Sequence, residues 1–181
     1  MSHELDEAVL QHHGGLANMS LINVLNQNVE DTDDMQIIRH SPYLDTDMMI
    51  QLLREKKNVF SILSTNIQSI RAKINDLKIF VSMLNDIGFR FSAICIQESW
   101  LSEGEDPSDL KLDGYHFIPQ GKSCSSKGGL IIYLEDKFKY STKMTLNTFS
   151  DWEGQVIEVV KNECLTKSIT IANIYRPPKN Y

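Results

Sequence analysis

The stretch from residue 59 to residue 96 constrains the fold more than any other part of the chain. Val59-Phe60-Ser61-Ile62-Leu63 is apolar and rich in β-formers, and Asn66 follows at its end. Ile70, Ile74, Leu77, Phe80, Val81, Leu84 and Ile87 then recur at three- and four-residue steps. That spacing predicts an amphipathic helix, and Gly88 is placed to end it. Ser92-Ala93-Ile94-Cys95-Ile96 is a short continuous apolar run, as expected of a strand buried on both faces. Strand, helix, strand in this order predicts an α/β layer structure with a βαβ-like opening. The pairing direction of the two strands is not readable from the pattern.

Beyond Pro107 and Gly114 the pattern changes to strands alone. Tyr115 to Pro119, Gly129 to Leu134, Trp152 to Val160 and Ser168 to Tyr175 are the expected segments, separated by turns carrying Gly, Ser, Lys and Asn. Gln155 to Val159 and Ser168 to Ala172 alternate in part, which predicts one wetter face.

Upstream, residues 1–44 are polar and acidic. Nine Asp and Glu against Arg39 give residues 1–47 a charge of −8, so the remainder of a chain of net charge −6 is +2. Residues 1–44 are therefore expected to form a mostly disordered tail. Residues 45–57 are expected to form a short helix, capped by Asp45, Thr46 or Asp47 and closed by basic residues. Residues 58–181 are expected to form the folded domain. Cys95, Cys124 and Cys164 are odd in number and contain no CxxC pair, which argues against a zinc site or a disulfide framework. No leader-like or membrane-spanning apolar run occurs, so a nuclear or cytoplasmic setting is expected, without secretion and without a membrane partner.

Polar groups stand at three strand ends: Asn66, Glu98 and Tyr175. Open α/β sheets gather functional side chains there. Glu98 follows an apolar strand directly, where an unpaired carboxylate is costly and a hard cation such as Mg2+ would relieve the cost. On spacing alone a plain exposed loop carboxylate is the simpler reading. Gly121-Lys122-Ser123 matches the end of a phosphate-binding loop, but His116 stands where that motif needs Gly, so no nucleotide cofactor is expected. His116 itself is expected to be structural or at the surface. Trp100 and Trp152 are expected to be packing residues.

Five blocks add to this. They are Leu63-Ser64-Thr65-Asn66-Ile67-Gln68-Ser69-Ile70, Ile96-Gln97-Glu98-Ser99-Trp100-Leu101, Lys127-Gly128-Gly129-Leu130-Ile131-Ile132-Tyr133, Trp152-Glu153-Gly154-Gln155-Val156-Ile157 and Asn173-Ile174-Tyr175-Arg176-Pro177-Pro178. In this order and spacing they resemble the first half of the endonuclease/exonuclease/phosphatase domain, in its non-LTR retrotransposon, AP-endonuclease-like branch. The resemblance implies a partial two-sheet β-sandwich with flanking helices, built chiefly as one sheet with its helix layer. It implies that Glu98 binds catalytic Mg2+, that Asn66 supports the metal and phosphate site, and that Tyr175 approaches the scissile phosphate. Arg176 is the further substrate-binding candidate. Glu-Ser stands here where the family usually has Glu-Thr.

The family's later Gly-Asp-Phe-Asn-type and Ser-Asp-His-type blocks do not occur within the 181 residues. The expectation is therefore a truncated Mg2+-dependent endonuclease from a mobile element, inactive as it stands and weak in Mg2+ binding. In an intact element such a nuclease nicks DNA to prime reverse transcription. The competing readings are a small-molecule or lipid phosphodiesterase of the same superfamily, and a non-catalytic relic or interaction protein.

Overall fold

A computed structural model describes residues 48, 51–53, 59–102, 104–121, 128–147, 152–163 and 165–176. The acidic tail, most of the upstream helix expected at 45–57, and Lys122 to Lys127 lie outside the described residues. Met48 and Gln51 to Leu53 are helical, and Leu53 is fully buried.

The opening is strand β1 (Ile62–Asn66), helix α1 (Ile70–Asp86) and strand β2 (Ala93–Gln97), with β1 and β2 parallel. Strand β1 begins three residues later than the apolar run suggested, so Asn66 is its last residue rather than the one after it. Helix α1 starts without a side-chain cap. The backbone N–H groups of Ser69 and Ile70 instead donate to the carbonyls of Glu98 and Ser99, both at 2.9 Å. The helix start is thus tied to the segment just after β2, which satisfies donors that would otherwise be left open.

Strands β3 (Tyr115–Gln120) and β4 (Leu130–Glu135) complete a first sheet of order β1-β2-β4-β3, antiparallel beyond β2. Strands β5 (Tyr140–Asn147), β6 (Glu153–Val159) and β7 (Ile169–Tyr175) form a second, wholly antiparallel sheet in that order. The protein is therefore α/β, with two stacked sheets and a helix layer outside the first. The second sheet is fuller than the sequence suggested, because β5 has no apolar alternation to announce it.

The layering follows from strand alternation. Ile94 and Ile96 of β2, with Ile131 and Tyr133 of β4, join Ile70, Ile74, Leu77, Val81 and Leu84 of α1 in one core. Ala93, Cys95, Ile132 and Leu134 point the other way and meet Ile157, Val159 and Ile171 of the second sheet. Because the first sheet is covered on both faces, its central strands carry no polar alternation. Among the described residues the second sheet is covered on one face only, and Ile174 and Met144 stand exposed on it.

Two buried amides bolt the sheets together. Asn173 of β7 donates to the carbonyls of Ile96 (3.0 Å) and Ile131 (3.2 Å) and accepts from Gln97 Nε2 at 2.5 Å. Gln155 of β6 donates to the Ile118 carbonyl at 3.0 Å. Asn173→Leu keeps the volume but removes all three bonds and leaves buried groups unpaired. It is expected to cost about 3 kcal/mol, measured by urea denaturation; a loss below about 1 kcal/mol would show that the brace contributes little.

Candidate functional site

Three strand ends meet at one edge of the two-sheet stack. Asn66 closes β1, Glu98 follows β2, and Tyr175 closes β7. Asn66 Nδ2 donates to Glu98 Oε1 at 2.8 Å, and the Tyr175 hydroxyl donates to the same oxygen at 2.7 Å. The first sheet supplies two of these residues and the second sheet the third. Stacking the sheets is therefore what assembles the cluster.

Glu98 is buried, with 8% of its surface exposed, so it is not the plain loop carboxylate that spacing alone allows. Both hydrogen bonds fall on Oε1. Among the described residues no cation forms an ion pair with Glu98. Its backbone is left-handed, at φ +52°, and Trp100 two residues on has φ +55°. Left-handed geometry is uncommon outside glycine and persists only where surrounding bonds over-determine it. Here four bonds do so. The Glu98 and Ser99 carbonyls accept from the start of α1, while the Ser99 and Trp100 N–H groups donate to the carbonyls of Gly129 (3.0 Å) and Gly128 (2.9 Å).

Burial raises the Tyr175 pKa well above the ordinary phenol range. Its hydrogen bond to Glu98 and the negative charges of Glu98 and Glu153 push in the same direction. The hydroxyl therefore remains a donor at any physiological pH. Glu153 lies opposite Tyr175 in the β6–β7 register and is equally buried. Burial raises its pKa, opposed by a hydrogen bond from the Gly129 N–H at 2.6 Å.

Arg176 is exposed, and its guanidinium lies over the Trp152 ring at 5.1 Å rather than on Glu98. Trp152 and Trp100 are 46% and 36% exposed, so neither is the packing residue expected from the sequence. Trp100 lies three residues after β2 and Trp152 immediately before β6, both outside the strands of the stack. His116 is half-buried on β3 beside the Tyr140 ring, as a structural histidine would be.

The residues fit a hard divalent cation in one limited sense. Mg2+ takes oxygen ligands, commonly one or two carboxylates plus water and substrate phosphate. Glu98 Oε2 and the side-chain oxygen of Asn66 are the groups of this cluster that could face it. No group of three or more His, Cys, Asp or Glu gathers in one place among the described residues. Glu153, Asn173 and Gln97 escaped the site reading of the sequence. All three lie inside the five blocks, but nothing in their spacing marks which strand faces which.

Comparison with solved structures finds the AP endonuclease LMAP from Leishmania major, at TM-score 0.45 and 15% identity, covering 63% of this chain and 39% of that one. It also finds the catalytic domain of APE2 from Xenopus laevis, at TM-score 0.47 and 17% identity, covering 66% of this chain and 46% of that one. The chain thus spans less than half the length of either. No family model matches it, and no curated protein does. Among the described residues no helix is long and apolar enough to cross a membrane.

Proposed function

We propose that the chain carries the metal-binding side of a Mg2+-dependent phosphodiesterase site that acts on DNA. The family is endonuclease/exonuclease/phosphatase, and the branch is that of the non-LTR retrotransposon nucleases. The observation that carries this reading is the convergence of Asn66 and Tyr175 on one oxygen of the buried Glu98. A carboxylate buried without a cationic partner costs several kcal/mol by order of magnitude, and a bound divalent cation offsets that cost. The five sequence blocks that resemble the family contribute these three residues and the Gly128–Gly129 turn behind them.

In this reading Glu98 and Asn66 hold the cation, which, when bound, stabilises charge on the phosphoryl oxygens and the leaving oxygen. The chain's own groups do the rest. Tyr175 and Asn66 occupy Oε1, which leaves Oε2 as the oxygen for the cation. The Tyr175 hydroxyl keeps its proton and stands where a phosphate oxygen would approach. Arg176, one residue further and exposed, supplies a cation that can leave the Trp152 face for a phosphate. Phosphate contacts of this kind position the strand without reading its sequence.

The test uses the chain joined to a C-terminal half from the resembled family. Nicking of supercoiled plasmid with Mg2+, and no release of phosphate from sugar phosphates or of headgroup from phospholipids, is the expected result. Hydrolysis confined to the small substrates would move the reading to the lipid or small-molecule branch. A folded but wholly inactive protein would remove the assigned roles of Asn66, Glu98 and Tyr175.

A further inference from the structure

Glu153 is a buried carboxylate that the proposed chemistry does not use. Among the described residues no cation pairs with it. A backbone amide holds it instead: Gly129 N–H donates to Oε2 at 2.6 Å. Its other oxygen lies against Gly128, where a Cβ would collide with it. A Cβ on Gly129 would in turn fall 2.5 Å from Ser99 Oγ. Both glycines have positive φ, +106° and +82°. The two glycines therefore let a turn fit between the Glu153 carboxylate on one side and the Glu98–Trp100 segment on the other.

That turn is what the Glu98 segment hangs from. The carbonyls of Gly129 and Gly128 accept from Ser99 and Trp100, and the left-handed residues Glu98 and Trp100 lie on either side of Ser99. Glu153 also stands opposite Tyr175, the residue that donates to Glu98 from the second sheet. One side chain is thus linked to the Glu98 oxygen by two routes, through the turn and through the neighbouring strand.

We propose that Glu153 is a positioning residue for Glu98: its carboxylate grips the Gly128–Gly129 turn, and the turn holds the left-handed backbone from which Glu98 meets Asn66 and Tyr175. The functional consequence rests on the reading of Glu98 as a cation ligand; the positioning itself does not. A hydrogen bond from a backbone N–H to a carboxylate is among the stronger ones in a protein, and stronger still away from water. Partners one layer out from a ligand typically change metal affinity by about 10- to 100-fold.

The experiment is native-state amide exchange by NMR on the wild-type chain, Glu153→Ala and Glu153→Gln, followed by Mn2+ titration of each. Glu153→Ala is expected to speed exchange at Ser99 and Trp100 by about tenfold or more beyond any change at Ile94 and Ile132, which report the first sheet as a whole. Glu153→Gln keeps an oxygen acceptor for Gly129 and is expected to restore most of the protection. Mn2+ affinity should fall by about tenfold in Glu153→Ala and recover in Glu153→Gln. A merely structural role would lower protection at all four amides together, and that result overturns the proposal. So does a Gln variant as damaged as the Ala variant, or unchanged Mn2+ affinity in an Ala variant whose Ser99 and Trp100 amides are freed. If the exchange pattern holds while the wild-type chain binds no Mn2+, Glu153 still positions Glu98 and the cation reading of Glu98 fails instead.

Discussion

Glu98→Gln is expected to remove divalent-cation binding and, at the same time, to raise stability. The carboxamide has the size of the carboxylate, and its oxygen can still accept from Asn66 and Tyr175. What disappears is a buried charge with which no cation pairs among the described residues. Removing an uncompensated buried charge is favourable, by about 1 to 3 kcal/mol here. Cation binding should move the other way. With one carboxylate and one amide as protein ligands, the wild-type midpoint for Mn2+ should be roughly millimolar, and the variant should show none. In the chain joined to a C-terminal half of the resembled family, nicking should fall by about a thousandfold. The combination is diagnostic, because functional groups are often kept at the expense of stability. A variant that loses stability while binding Mn2+ normally would show that Glu98 is a structural carboxylate, and the proposed function would fall with it.

Much of this geometry is legible in the sequence. The α1 periodicity and the apolar run of β2 are strong because each reports burial directly: one stripe for the helix, both faces for the strand. Asn66, Glu98 and Tyr175 were legible as strand-end polar residues, and the quoted blocks drew attention to the same three. Their meeting on one oxygen was not legible, since it depends on how the second sheet stacks on the first. Strand β5 was missed for a local reason. Tyr140-Ser-Thr-Lys-Met-Thr lies at a sheet edge with one face wet, and a bulge between Thr142 and Met144 breaks what alternation there is. The exposure of Trp100 and Trp152 is not legible, because residue type alone does not say whether a position outside a strand is covered. Glu153, Gln97 and Asn173 carry no spacing signal at all. Their partners are backbone groups and amides on other strands, which sequence periodicity does not encode.

Alkaline unfolding should be steep and should take the site down with the fold. Tyr115, Tyr133 and Tyr175 are all buried, and burial is the leading cause that raises each pKa above the ordinary value of 10.0. Negative charge adds to it, from Glu135 and Asp136 at Tyr115, Asp109 at Tyr133, and Glu98 and Glu153 at Tyr175. Cys95, between the sheets, is pushed up from 9.0 to about 12 by burial. The sign is the same for all four. Below the unfolded pKa both states are protonated and stability is whole. Above it the unfolded chain releases protons that the native chain keeps, so stability falls until the folded pKa is reached. Each group then costs about 1.4 kcal/mol per pH unit, starting near pH 9 for Cys95 and near pH 10 for the tyrosines. By pH 11 the loss is about 7 kcal/mol, comparable with the whole stability of an ordinary domain. Urea midpoints should therefore fall gently from pH 9 to 10 and sharply from pH 10 to 11. Cys95→Ala should flatten the fall across both intervals, and Tyr133→Phe should reduce chiefly the second. Absorbance at 295 nm should show the buried phenols ionising together with loss of structure, not before it. Because burial and the Glu98 carboxylate raise the Tyr175 pKa in the folded state, the donor on Glu98 Oε1 should persist up to the unfolding transition. A buried phenol that titrates near pH 10 in a chain still folded would overturn this, and for Tyr175 it would mean that the Glu98 cluster is open to water.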